Sequence, residues 1–138
     1  MRTTVCSRGR TASSPAAVSL EVLGEFFCEM TVEGGELMTP DETLALAEQW
    51  STTALEHVAT TGDFELPNGI TGPADGAGIE AFAHAIRGRI RWARGNEAGA
   101  LQDFAQVPTG FTAFISREGR PQRRNKVYFH ANPGSGYV

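Results

Sequence analysis

The strongest periodic pattern in the chain lies between residues 79 and 93, where apolar side chains recur at the spacing of an α-helix. Its apolar face is formed by Ile79, Phe82, Ala83, Ile86, Ile90 and Ala93. Its other side carries His84, Arg87, Arg91 and Arg94. Because residues three and four apart share one face of a helix, the segment predicts a helix that turns its apolar face inward and its arginines toward water. Gly95 predicts its end.

Two further helices have clear local signals. Thr39 and Glu42 have the spacing of a capping box, and Pro40 between them suits the first position of a helix. Apolar residues then recur at helical spacing, so a helix is predicted over about residues 40–60. A short third helix is predicted after Asn96, which is a good N-cap residue.

The C-terminal residues have the composition of β-strands. Residues 111–115 and 127–131 are rich in aromatic and β-branched side chains, and the basic segment 117–126 between them contains Gly119 and Pro121. This pattern predicts an antiparallel β-hairpin, which must pack against the helices because two strands alone are marginally stable. The predicted fold class is therefore α+β, with two main helices, a short third helix and a C-terminal β-hairpin.

Residues 1–37 are predicted to be a poorly ordered extension of a single α+β domain at 38–138. Glutamates interrupt the apolar stretch that follows the first arginines, so an export signal is not expected. A short helix over residues 20–27 is an alternative, although no start signal supports it. The Glu and Gly codons before Met38 are purine-rich, as a ribosome-binding sequence is, which suggests the hypothesis that translation begins at Met38.

Charge is unevenly distributed along the chain. Residues 1–80 carry 3 basic and 13 acidic side chains, whereas residues 81–138 carry 9 basic and 3 acidic ones. This segregation fits either a basic surface that binds a partner or an attraction between the two halves of the fold. The single lysine among eleven arginines is typical of a high-GC bacterial coding sequence. No apolar run reaches the length of a membrane span, and no membrane partner is expected.

The basic residues give the main functional hypothesis, an interaction protein that binds an acidic protein or a nucleic acid. The predicted binding residues are Arg87, Arg91, Arg94, Arg120, Arg123, Arg124 and Lys126. Clustered guanidinium groups bind phosphates or carboxylates, and Trp92, Tyr128 and Phe129 are candidate stacking platforms for bases. The alternative interpretation is an ordinary solvated face, partly neutralised by the acidic helix predicted at 40–60.

A second hypothesis is a small enzyme. Its pocket would lie between the glycine- and proline-rich connection at 63–78 and the C-terminal hairpin, with His130 as the base. No nucleophile–His–Asp arrangement, zinc motif or phosphate-binding loop is present in the sequence. Cys6 and Cys28 are too few to hold a fold together, and the histidines are scattered. We therefore expect a cytoplasmic protein without cofactor or metal.

The segment GRIRWARGNEAGALQDF, residues 88–104, resembles part of a tetratricopeptide repeat. The matching positions are Gly88, Gly95, Ala100 and Phe104. The resemblance covers 17 residues, places Arg91 where an aromatic residue is usual, and has no second copy in the chain. Because a solenoid needs at least three repeats, the resemblance implies only a pair of helices packed through small residues.

Overall fold

The computed structural model describes residues 4–61 and 76–113, with side chains described over 13–60 and 77–113. Its described elements are four α-helices and one short antiparallel pair of strands. In chain order they are α1 (Thr4–Phe26), β1 (Met30–Thr31), β2 (Leu37–Met38), α2 (Pro40–Thr61), α3 (Gly76–Ala93) and α4 (Glu97–Phe104).

The helix α2 begins at the predicted capping box. The backbone amide and the hydroxyl of Thr39 both donate to Oε2 of Glu42, at 2.8 Å each, and the Glu42 amide donates back to Thr39 Oγ1 at 3.3 Å. These bonds satisfy amide groups that have no partner inside the first turn of a helix. The predicted helix over 40–60 is thus confirmed.

The α3–α4 connection is also encoded locally. Gly95 has a φ of +78°, a conformation in which a side chain is strained, and the amide of Asn96 donates to the carbonyl of Arg91 as α3 ends. The Asn96 side chain then accepts from the amide of Gly99 at 3.0 Å and caps α4. The predicted short third helix is confirmed, and α3 extends three residues further upstream than the predicted apolar pattern.

The core lies where α1, α2 and α3 meet. Its buried side chains are Ala17, Leu20, Leu44, Ala47, Ile86 and Ile90. The helix α1 packs mainly on α2, α2 also packs on α3, and α4 packs on α3. The apolar face of α3 therefore turns inward over residues 79–90, as its periodicity predicts, whereas Ala93 at the end of the helix is exposed.

The predicted α+β class is wrong, because the described part of the chain is mostly helical. The only strands among the described residues are β1 and β2, which pair Met30 with Met38. Residues 111–113, the start of the predicted C-terminal hairpin, form no strand, and the rest of that hairpin lies outside the described residues. Aromatic and β-branched content alone does not make a strand, since β-propensity depends strongly on packing context.

The N-terminal segment also differs from the expected extension. The helix α1 occupies residues 4–26, and Ala17 and Leu20 are buried against the rest of the protein. Local signals are weak here because Pro15 lies inside the helix and Glu21 lies on its buried face. The hypothesis that translation begins at Met38 stays a prediction. Within the described ranges, none of the helices is long and apolar enough to cross a membrane.

Candidate functional site

Three of the predicted binding residues, Arg87, Arg91 and Arg94, lie in a network of ion pairs between α2, α3 and α4. Its centre is Asp103 of α4, whose side chain is 2% exposed. Arg87 donates to Asp103 through Nε and Nη2 at 3.0 and 2.7 Å, and Arg91 donates through Nη1 at 2.9 Å. The Nδ1 atom of His84 lies 2.8 Å from Oδ1 of Asp103, so this nitrogen donates to the carboxylate.

The network extends from α3 to the acidic residues of α2. Glu48 accepts from Nε of Arg91 at 2.8 Å and from Nη1 of Arg94 at 2.6 Å. Asp41, at the start of α2, accepts from Nε of Arg94 at 3.0 Å. We call these residues the Asp103 cluster, which consists of Asp41, Glu48, His84, Arg87, Arg91, Arg94 and Asp103.

Charge is balanced within the Asp103 cluster, because three carboxylates face three guanidinium groups. Burial by itself would raise the pKa of Asp103, but hydrogen bonds from Arg87 and His84 and the charges of Arg87 and Arg91 outweigh it and hold that pKa below its ordinary value. The pKa of Glu48 is also lowered, since bonds from Arg91 and Arg94 outweigh its burial. Glu48 and Asp103 are therefore ionised at neutral pH, and the cluster adds little net positive charge to the surface.

The expectation that the α3 arginines face water is wrong for Arg87 and Arg91. Their side chains are only 15% and 20% exposed because both lie against acceptors on α2 and α4. The remaining predicted binding residues, Arg120, Arg123, Arg124 and Lys126, lie outside the described residues. So do His130 and most of the 63–78 connection, and the enzyme hypothesis stays a prediction.

A different surface contains the exposed apolar groups of α3 and α4. A shallow cavity of about 370 Å³ is lined by Glu25 at the end of α1, Arg89 and Trp92 on α3, and Phe104 on α4. The side chain of Trp92 is 60% exposed, and Phe104 is 38% exposed. We call these four residues the Trp92 surface.

Further apolar side chains lie one helical turn from members of the Trp92 surface. Val22 and Leu101 precede Glu25 and Phe104 by three residues on their helices, and both are exposed. Phe26, next to Glu25, is exposed as well. Single exposed apolar residues are common, but a group on neighbouring elements is typical of an interaction site.

The cavity depends on a close approach between α3 and α4. A Cβ atom added at Gly88 would lie 2.5 Å from Cε1 of Phe104, so only glycine at this position allows the ring to lie on α3. Ala100 of α4 is fully buried at the same contact between helices. The pair of helices expected from the resemblance at 88–104 is present.

Arg89 is held at the cavity by a buried glutamate of α1. Its Nε atom lies 3.1 Å from Oε1 of Glu21, whose side chain is fully buried. Neither carboxylate oxygen of Glu21 has a hydrogen-bond partner among the described residues, so its contact with Arg89 is an ion pair without hydrogen-bond geometry. Burial raises the pKa of Glu21 more than the charge of Arg89 lowers it.

The sequence alone missed the acceptors of the α3 arginines and the Trp92 surface. Asp103 had one available signal, which is its position three residues after Ala100 on the inner face of a short helix.

Among the described side chains, no three His, Cys, Asp or Glu residues come together as a metal site. Comparison with protein-family models, curated proteins and solved structures finds no match to this chain.

Proposed function

We propose that this chain is a small interaction protein that binds an acidic protein partner through the Trp92 surface. The observation that carries the proposal is the exposure of Trp92 and Phe104 at a cavity formed by three helices. Tryptophan, phenylalanine and arginine are enriched at the centres of protein interfaces, and tryptophan and arginine often dominate their binding energy.

The exposed guanidinium group of Arg89 favours an acidic partner. Arg89 lines the cavity with its side chain 56% exposed. A partner segment with apolar anchors and a carboxylate complements Trp92, Phe104 and Arg89, and opposite potentials speed association and exclude wrong partners.

A protein partner is favoured over a nucleic acid. Phosphate binding needs guanidinium or ammonium groups that are free to replace counterions. Arg87, Arg91 and Arg94 already donate to carboxylates of the protein itself. An apolar cavity suits the side chains of a helical partner better than it suits a phosphate backbone.

We also propose a cytoplasmic location, which the presence of only two cysteines in the chain supports.

The test uses two designed amphipathic peptides of roughly 18 residues, about five helical turns. One peptide carries leucine and glutamate, and the other carries leucine and lysine in the same pattern. We expect the full chain to bind the acidic peptide, with fluorescence anisotropy as the measurement. Trp92→Ala removes an exposed anchor and should weaken binding by about tenfold or more.

Trp50→Ala is the matched control, because Trp50 is an exposed tryptophan of α2 that does not line the cavity. It should leave binding unchanged, and circular dichroism should show that both variants stay folded. Failure of both peptides to bind would overturn the proposal, as would tighter binding of the lysine peptide. Equal losses in the two tryptophan variants would also contradict it. Tighter binding of a single-stranded oligonucleotide, unaffected by Trp92→Ala, would identify a nucleic-acid-binding protein instead.

A further inference from the structure

We infer that Arg89 is the group on the Trp92 surface that binds a carboxylate of the partner, and that the ligand is an acidic side chain next to a large apolar one. This inference rests on the proposed function and adds the chemistry that the cavity recognises. It follows from the difference between Arg89 and its neighbours Arg87, Arg91 and Arg94.

Arg87, Arg91 and Arg94 each use at least two nitrogens on groups of the protein. Arg87 uses three nitrogens on Asp103 and Thr52, and Arg91 and Arg94 use two nitrogens each on acidic side chains. Arg89 has one contact among the described residues, from Nε to Glu21, and neither of its Nη atoms has a described partner. It is also the most exposed of the four.

The contact with Glu21 leaves a binding edge of the guanidinium group available. An arginine can donate two parallel N–H bonds to one carboxylate. The end of the guanidinium group that carries both Nη atoms is one edge that can do so. Glu21 occupies the Nε side from a fully buried position, so it restricts the motion of Arg89 without covering that end. A guanidinium group that is already restrained loses less entropy when it binds.

The neighbours of Arg89 determine what must accompany the carboxylate. Trp92 and Phe104 line the same cavity and offer apolar contact area. Glu25 lines it too, and its negative charge disfavours a second carboxylate beside the first. A cavity of about 370 Å³ has room for a side chain but is too shallow to enclose a large ligand. The geometry thus fits one glutamate or aspartate adjoining leucine or an aromatic residue on a partner helix.

The test compares two peptides that differ at a single position. Both are amphipathic helices with leucines one turn on either side of the variable residue, which is glutamate in one peptide and glutamine in the other. The wild-type chain should bind the glutamate peptide about tenfold more tightly, since a carboxylate carries the opposite charge and accepts two parallel N–H bonds, whereas an amide is neutral and offers one oxygen. Arg89→Gln should abolish this preference, because the affinity for the glutamate peptide should fall further than the affinity for the glutamine peptide.

Two variants make the test specific. Arg94→Gln removes an equal charge just after the end of α3, but Arg94 does not line the cavity, so the preference for glutamate should remain. Arg89→Lys keeps the charge without the paired donors and should retain a smaller preference.

If Arg89→Gln keeps the full preference while Trp92→Ala still weakens the binding of both peptides, the inference is wrong and the proposed function stands. If Arg94→Gln loses the preference for glutamate as completely as Arg89→Gln does, general charge attraction explains the preference, and the inferred site at Arg89 is wrong. If neither peptide binds, the proposed function itself fails.

Discussion

Asp103 is a single carboxylate that accepts hydrogen bonds from two arginines and a histidine while almost fully buried. Removing one partner of a buried ion pair costs about 3–5 kcal/mol, because the remaining charges stay buried without compensation. We therefore expect Asp103→Asn to lower the free energy of unfolding by about 3 kcal/mol in urea titrations. Asp41→Asn, in the same cluster but 73% exposed, should cost less than about 1 kcal/mol. Equal costs for the two variants would contradict a central role for Asp103.

Asp103 also makes the stability of the folded protein depend on pH. Because the pKa of Asp103 is lower in the folded than in the unfolded chain, its contribution to stability is complete above the ordinary aspartate pKa and is lost as pH falls through the lowered value. Glu48 acts in the same direction. Glu21 acts oppositely, since its raised pKa favours folding at low pH and this contribution is lost as pH rises. Urea titrations from pH 7 down to about pH 3 should therefore show a shallower acid loss in Asp103→Asn than in the wild type.

At the scale of elements, the α3–α4 pair depends on one close contact, between Gly88 and Phe104. Gly88→Ala would place a methyl group 2.5 Å from the phenyl ring, and overpacking of this kind costs about 1–3 kcal/mol. Thermal unfolding should show the loss. In a Phe104→Ala background the ring is gone, so the second substitution should cost nothing or stabilise the helix by up to about 1 kcal/mol. A cost that is the same in both backgrounds would contradict the contact.

The elements that sequence patterns predicted are those with local signals. The start of α2 and the start of α4 each have a cap made by residues within three positions, at Thr39 and Asn96. The inward face of α3 repeats over about three turns, from Ile79 to Ile90. By contrast, α1 contains a proline and a buried glutamate, and β1 and β2 have two residues each, so no periodicity could reveal them. Their stability comes from tertiary packing, which a single sequence does not display.

The candidate site was predictable only as far as local sequence shows it. A cluster of arginines near the end of α3 is visible in the sequence. Which of these arginines pairs with an acidic side chain of the protein depends on residues far away in the chain. Glu48 lies 43 positions from Arg91, and Asp103 lies 16 positions from Arg87. The segregated charge indicates that the acidic and basic parts attract each other, and α2 and α3 do so. The segregated charge does not distinguish Arg89 from the other arginines. Only the structure shows that Arg89 contacts Glu21 and is still 56% exposed.

At the scale of the whole molecule, α1 covers one side of the core. Leu44, Ala47, Ile86 and Ile90 would lose the contacts that Ala17 and Leu20 of α1 complete. Small proteins are stable by only about 5–15 kcal/mol, so exposing one side of a core this size removes most of that margin. A chain that begins at Met38 should therefore lose cooperative thermal unfolding, followed by circular dichroism.

The matched control for that deletion is a chain that begins at Ser13. It keeps the buried part of α1, including Ala17, Leu20 and Glu21, and should retain a cooperative transition. The comparison separates the packing of α1 from the mere shortening of the chain. If the chain from Met38 unfolds as sharply and at nearly the same temperature as the full chain, α1 is dispensable for the fold. Met38 would then mark the start of the folded unit, and the contact between Glu21 and Arg89 would not be needed to build it.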